Sequence, residues 1–418
     1  MENVLSHEGP PMYLQMAWRN IWRNPRRTTI ILLAIIIGVW NMIFLGALTR
    51  GMEAGMIKNG IATLTGNIQI HHKDYRNDPV IENSMTDPET VESAMEKILP
   101  RGAHRTGRVR VNAIASNARH SSGVTLVGID PKREARVSFI GHAVKQGRYL
   151  MSKEMYGIVV GKALLDKFET KVGHKLVLMS QDTDREISSR AFRIVGVFRA
   201  EMAATEKQFV FVTLPAAQQM LKLDKGISEI SIILPDQQDN GRVASALKDA
   251  LPDDTYDINT WRDLLPILNA YLKLSDGFMF IWYLVVFIAM GFGIVNTTLM
   301  AVYERMKEFG LLKALGMKPW WIIREVLLES VLLLLMGMVI GNILSFLSVF
   351  ALSGSGIDLS ALAAGAEYVG ISRILYPAIY AKDVAIANLV VFVLGLMVSI
   401  YPAAKAGRFT PVEALTHT

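Results

Sequence analysis

Four apolar stretches decide what this chain can become. Thr28–Leu48, Gly277–Val302, Val331–Leu352 and Val384–Tyr401 each approach the roughly 20 residues, at about 1.5 Å rise, that a helix needs to cross a bilayer. Their spacing is lopsided: more than two hundred residues, Thr49–Ser275, separate the first from the second. That interval is polar enough to be a water-soluble domain. The predicted fold is an α-helical membrane protein with four transmembrane helices and a large α+β domain outside the cytoplasm.

Short-loop charge gives the orientation. Arg19, Arg23, Arg26 and Arg27 flank the first stretch, five Lys or Arg residues lie within 305–324, and Lys405 and Arg408 follow the fourth. Cytoplasmic loops carry that excess, whereas long translocated domains are exempt from the count. The first stretch lacks a small-residue cleavage site and reads as a retained span. The chain then divides into a leader and interfacial helix (1–27), spans at 28–50, 275–303, 322–352 and 384–402, an extracytoplasmic domain (51–274), a cytoplasmic turn (304–321), an extracytoplasmic loop (353–383) and a cytoplasmic end (403–418).

Residues 1–11 read as a disordered leader. Over Tyr13–Arg23, Leu14, Trp18, Ile21 and Trp22 fall on one helical face, and Gln15, Arg19, Asn20 and Arg23 on the other. Such a helix lies in the interface and anchors to the membrane, with Trp18 and Trp22 at headgroup level and Arg23, Arg26 and Arg27 toward anionic lipid.

Past a helical continuation, Gly51–Leu64, the period changes. Asn67–His71, Arg108–Ala115, Val124–Ile129, Gly157–Val160, Lys175–Met179, Ala191–Phe198, Phe209–Thr213 and Glu229–Leu234 are short, β-branched-rich runs bounded by turn residues. They predict strands. Helical pieces at Asp87–Ile98, Lys162–Phe168, Pro215–Leu223 and Gly241–Ala250 intervene, and a second helical approach, Thr260–Leu274, leads back to the membrane. Mixed in this way, the domain is α+β and not a simple sandwich.

Chemical motifs are scarce. The chain has no cysteine, which removes disulfides and thiol catalysis. Its six histidines in the exported block accompany no H-E-x-x-H or H-x-x-H pattern, so no metal site is expected. No G-x-S-x-G elbow and no Walker A pattern occur, so no catalytic residue is assigned and any driving ATP is bound by another chain. The net charge of +6 comes with no basic helix or aromatic-lined groove, so nucleic acid is not an expected partner. Within the spans, Gly291 and Gly293, and Gly337 and Gly341 at small-xxx-small spacing, are candidate helix-packing positions. Glu329, the deepest of the acids entering the third span, joins them, because a mid-bilayer charge costs about 2.5–3.5 kcal/mol.

Between the second and third apolar stretches lies ERMKEFGLLKALGMKPWW, Glu304–Trp321. Phe309, Leu311, Leu312 and Leu315 make no single helical stripe, which predicts a helix end and tight turn rather than a free amphipathic helix. Asn296–Ile322 resembles the cytoplasmic coupling region of FtsX-like ABC permeases, the superfamily of the MacB, LolC and LolE types, through Glu304, Arg305, Glu308, Gly310, Lys313, Ala314 and Gly316. Tyr401–Leu415 resembles the family's ending through Pro402, Ala403, Ala406, Pro411, Ala414 and Leu415, and Ala17–Thr28 resembles its elbow helix. GNIQIH, VGIDPKREARVS and the loop Ile357–Val384 look most like lipoprotein-releasing, LolC/LolE-type permeases.

That resemblance implies a MacB-type periplasmic core domain, a bacterial inner-membrane location and mechanotransmission. Two cytoplasmic ABC ATPase subunits, holding ATP and Mg, would act on a permease dimer formed with an identical or related second chain. Glu304, Arg305, Glu308, Lys313, Leu315 and Gly316 would form the ATPase-coupling surface. The leading expected task is extraction of lipoproteins or other lipid-anchored substrates; the alternatives are peptide or antibiotic efflux with a periplasmic adaptor, and a scaffold that activates a cell-wall hydrolase.

Overall fold

The structure, a computed structural model, describes residues 10–236, 239–359 and 374–410. It forms two compact units. The first joins the described residues up to Glu53 with Lys273–Ile357 and those from Leu375 onward; the second is built on Ala54–Leu272.

In chain order, helix α1 (Pro10–Ile21) precedes α2 (Pro25–Gly60), which passes through a π turn, Ile61–Thr65, to strand β1 (Ile68–His72). Then follow α3 (Pro88–Ile98), β2 (His104–Ser116), β3 (Ser121–Ile129), the single turns α4 (Pro131–Glu134) and α5 (Ile140–Ala143), β4 (Val144–Gly147), β5 (Gly157–Gly161) and α6 (Lys162–Lys167). The domain continues with β6 (Lys175–Gln181), β7 (Ile187–Phe198), α7 (Ala203–Gln208), β8 (Phe209–Thr213), α8 (Leu214–Leu221), β9 (Glu229–Ile233), α9 (Asn240–Ala250), β10 (Tyr256–Thr260) and α10 (Trp261–Leu264). Among the described residues four helices follow, α11 (Pro266–Glu304), α12 (Met306–Ala314), α13 (Pro319–Ser355) and α14 (Ala381–Arg408), with a pair of two-residue strands, Ile357–Asp358 and Ile374–Leu375, between the last two.

The ten strands β1 to β10 join one sheet, ordered β10-β1-β9-β2-β3-β8-β5-β7-β4, with β6 pairing both β2 and β7. The thirteen-residue β2 is shared between two lobes. Its first half pairs with β9 and its second with β3. On one side, β10, β1 and β9 are covered by α3 and α9, whose Val91, Met95, Val243 and Leu247 fill the space beneath Ile68, Ile70, Ile230 and Ile232. On the other, β2-β3-β8-β5-β7-β6 closes on itself, since β6 returns to β2 through Ile114–Met179. Its core of Val109, Leu126, Ile158, Leu178, Phe192 and Val210 is capped by α6 and α8.

Each strand expected from the sequence overlaps one of these ten, with Asn67 and Leu234 falling just outside β1 and β9. Two were not expected, and both are short and polar: β4 reads VKQG and β10 reads YDINT. Edge strands face solvent over much of their surface, so neither needs an apolar alternation. The turn helices α4, α5 and α7 were missed as well. All three are too short to show a 3.6 period; α4 has a side-chain cap, Asp130 accepting from the amides of Lys132 and Arg133, whereas α5 and α7 have none.

In the membrane unit α2, α11, α13 and α14 are each long and apolar enough to span a bilayer. Gly337 and Gly341 of α13 sit against α2: an added Cβ would lie 2.5 Å from Ile35 Cγ2 and 2.9 Å from Val39 Cβ. Gly291 and Gly293 are different, because a Cβ there would meet nothing closer than 3.7 Å and 3.8 Å. Close approach instead falls at Gly38 against Met290 and at Gly395 against Leu334. Polar side chains link the same helices: Asn41 accepts from Trp282 Nε1 (3.2 Å), Trp40 Nε1 donates to Ser348 (3.0 Å), and Asn342 and Asn388 exchange hydrogen bonds of 2.8 and 3.0 Å. At the opposite end from α12, Arg50 of α2 reaches Glu53, Asp276 of α11 and Asp383 of α14, each at 2.9 Å.

Candidate coupling site

The stretch between the second and third spans is more than a turn. Met306–Ala314 is a helix of nine residues with its own start and stop. Its end is a Schellman motif: the Gly316 amide bonds Lys313 O (2.9 Å), the Met317 amide bonds Leu312 O (3.0 Å), and Gly316 takes φ +93°. Only glycine enters that region without cost from a Cβ. Pro319 then opens α13 at a position where a missing N–H loses nothing. The scattered apolar residues sort onto two faces. Met306 and Phe309 are buried among Val302, Ile322, Val326, Ala403 and Ala406, with Leu312 packed beside them. Leu311 (55% exposed), Leu315 (77%) and Trp320 (63%) point away from the bundle.

The charged residues turn the other way. Arg305, just ahead of α12, lies between Glu325 and Glu329 of α13, at 2.7 Å from each, and its guanidinium sits over the Phe309 ring. Its side chain is 12% exposed. Glu325 also accepts from Asn20 of α1 (2.8 Å). Glu308 takes both nitrogens of Arg23 (2.9 and 2.5 Å), and this bond holds its carboxyl below the usual carboxylate range. Glu304 pairs with Arg27 at the start of α2 (3.2 Å). Lys313 donates to the carbonyls of Gly407 (2.5 Å) and Phe409 (2.8 Å), where a cation satisfies the end of α14. The stretch is thus tied at separate points to the α1–α2 turn, α2, α13 and α14.

Of the six residues expected to form a coupling surface, Leu315 and Gly316 lie on the exposed side, while Glu304, Arg305, Glu308 and Lys313 face partners in their own bundle. Glu325, Asn20 and Arg27 complete the network and were not assigned to it from the sequence. One signal was available: Glu325 and Glu329 stand one turn apart at the entry to an apolar helix, a pair of acids that calls for a cation.

In α1, Ala17 and Ile21 are buried (0% and 2%), while Trp18 and, just past the helix, Trp22 are half exposed and meet edge to face at 6.0 Å. Ile21 therefore leaves the tryptophan face on which the helical pattern placed it and packs inward. Arg26 is exposed, as an arginine turned to lipid headgroups would be, but Arg23 and Arg27 are engaged by Glu308 and Glu304. The side chain of Leu14, and Pro411, Ala414, Leu415, residues 1–9 and residues 360–373 of the 353–383 loop, lie outside the described residues.

The soluble unit has its own buried ion cluster. Arg108 of β2 is fully buried; it makes a two-pronged bond to Glu134 (2.9 and 2.8 Å), reaches Glu229 (3.0 Å) and donates to the carbonyl of Leu64. Leu64 closes the π turn after α2 with φ +68°, so Arg108 and the Gln69 amide (2.7 Å) fix the point where that helix gives way to the sheet. Burial alone would raise the Glu229 carboxyl; the His71 imidazole 3.8 Å away, Arg110 and Arg108 outweigh it and hold it at about 2. Among the described residues no cluster of His, Asp or Glu is arranged to hold a metal ion.

Residues 28–250, more than half the chain, match the MacB-like periplasmic core domain, and residues 280–411 match the FtsX-like permease C-terminal domain. The lipoprotein-releasing system transmembrane protein LolC of Xylella fastidiosa is 25% identical over 76% of this chain and 78% of its own length. LolE of Haemophilus influenzae is 22% identical over 74% and 76%. The macrolide export ATP-binding/permease protein MacB of Bdellovibrio bacteriovorus is 22% identical over 97% of this chain and 61% of its own. The periplasmic region of MacB from Actinobacillus actinomycetemcomitans covers 51% of this chain and 97% of that one, at 15% identity and a TM-score of 0.36.

Proposed function

This chain belongs to the ABC-transporter permeases that join a MacB-like periplasmic core domain to an FtsX-like C-terminal domain, and we propose that it works there as a mechanotransmitter. ATP hydrolysis by a separate cytoplasmic ATPase, present in two copies with ATP and Mg, is passed through α12 to the spans and on to the exported domain. The supporting observation is the two-faced coupling stretch, which presents Leu311, Leu315 and Trp320 outward while its charges grip three helices and the α1–α2 turn of its own bundle. An apolar knob on a braced helix suits a groove in a partner, since well-packed apolar anchors carry most of an interface's energy.

The ATPase should co-purify in mild detergent. Replacing Leu311 and Leu315 by serine should abolish that association without lowering the amount of permease in the membrane; an ATPase recovered in wild-type amount with this double variant would refute the docking surface. We propose further that the substrate is a lipoprotein or another lipid-anchored molecule drawn from the bacterial inner membrane by a dimer of such permeases. The similarity to LolC and LolE supports this substrate class. Photo-crosslinking from the exported domain should trap acylated proteins. Capture of a periplasmic adaptor with a peptide or macrolide would support efflux instead, and capture of a cell-wall hydrolase would support a signalling scaffold.

A further inference from the structure

The charges around α12 are arranged unevenly, and the unevenness singles out one residue. Arg23–Glu308 is an open pair, its side chains 60% and 42% exposed, and Glu304 in the Arg27 pair is 41% exposed. Exposed pairs of this kind hold weakly. The Arg305 group is enclosed: its side chain is 12% exposed and those of Glu325 and Glu329 17% and 11%. Arg305 also stands at the junction of α11 and α12, its φ and ψ of −97° and 8° breaking the helix between Glu304 and Met306. The guanidinium fork is rigid and two-pronged, and here its two nitrogens hold carboxylates one turn apart on α13, one of which also holds Asn20 of α1. A push on α12 therefore reaches α13 and α1 through one short, enclosed link.

We propose that Arg305 is a positioning residue that passes movement of α12 to the third span and the elbow helix, and that it does not itself contact the ATPase. The proposal rests on the docking of an ATPase at Leu311 and Leu315. Binding and transmission then separate: the outward apolar face binds, and the inward arginine transmits.

The lack of cysteine in the sequence makes the test direct. Nitroxides are placed at Ile187→Cys, 83% exposed in the exported domain, and at Ser355→Cys, exposed at the end of α13. Their separation is read by double electron–electron resonance in the full chain with its co-purified ATPase, without nucleotide and with ATP plus vanadate. We expect a nucleotide-driven shift in the wild type, loss of that shift in Arg305→Gln with the ATPase still co-purifying, and partial return of the shift in Arg305→Lys. The Glu325→Gln/Glu329→Gln pair, which keeps shape and removes charge, should also lose it. A full shift in Arg305→Gln would overturn the proposal. So would failure of both Arg305→Gln and the double variant to accumulate, because the cluster would then serve folding. Absence of an ATPase, or of any shift, in the wild type would instead defeat the reading on which the proposal rests.

Discussion

Arg108→Met should destabilise the exported domain severely. The side chains of Arg108, Glu134 and Glu229 are 0%, 0% and 1% exposed, so the change strands two carboxylates where water cannot reach them. It also removes the donor to the Leu64 carbonyl. Arg110, 3.6 Å from Glu229 but one-third exposed, can neutralise only part of that charge. Removing one member of a buried ion cluster costs about 3–5 kcal/mol. At about 2–4 °C per kcal/mol for a domain of this size, the unfolding midpoint should fall by roughly 6–20 °C. The assay is thermal unfolding of the full chain in detergent, with hydrogen exchange followed in peptides from β2 and β9. The triple variant Arg108→Met/Glu134→Leu/Glu229→Leu removes the stranded charges together with their partner and should recover most of the loss.

The same cluster sets an acid limit. Glu229 titrates at about 2 in the folded domain and at roughly 4.3 when exposed. Its contribution is therefore fully present above the unfolded value and is lost as the pH falls from about 4.5 toward 2. Glu229→Gln should flatten this part of the pH–stability curve. A midpoint within about 2 °C of wild type for Arg108→Met, or a triple variant no better than the single, would refute the view that the stranded carboxylates cause most of the loss.

Other perturbations test the bundle. Gly337→Leu forces a side chain onto Ile35 and should cost about 1–3 kcal/mol, measured as a lowered midpoint in detergent denaturation, whereas Gly291→Ala should be nearly silent. A double-mutant cycle of Asn342→Leu and Asn388→Leu should give a coupling of about 0.6–1.7 kcal/mol, the range for side-chain bonds between membrane helices. Lys313→Met removes the donor to Gly407 and Phe409 and should cost about 1 kcal/mol locally, speeding hydrogen exchange at the end of α14 about fivefold while exchange in β2 stays unchanged.

What the sequence revealed follows from the range of the forces involved. A span must be apolar along its whole length, so four spans can be read residue by residue; strands such as GIVVG and FVFVT, buried on both faces, are nearly as plain. Pairing is not local. Nothing in Ile114 or Met179 announces that β6 returns to β2 and closes the ring. The coupling stretch shows the same division. Its charges and its glycine stop are visible as letters, but Arg23 and Glu308 stand 285 residues apart, and a salt bridge leaves no trace in the spacing of either. This is why Glu304, Arg305, Glu308 and Lys313 read as an outward docking surface. Burial separates them: the Arg305 side chain is 12% exposed while those of Glu304 and Glu308 are 41% and 42% exposed, and because desolvating a charge is tolerated only against a partner, the enclosed arginine marks where helices must stay together. The exposed leucines, which looked like flaws in a helical stripe, form the outward face on which the proposed docking rests.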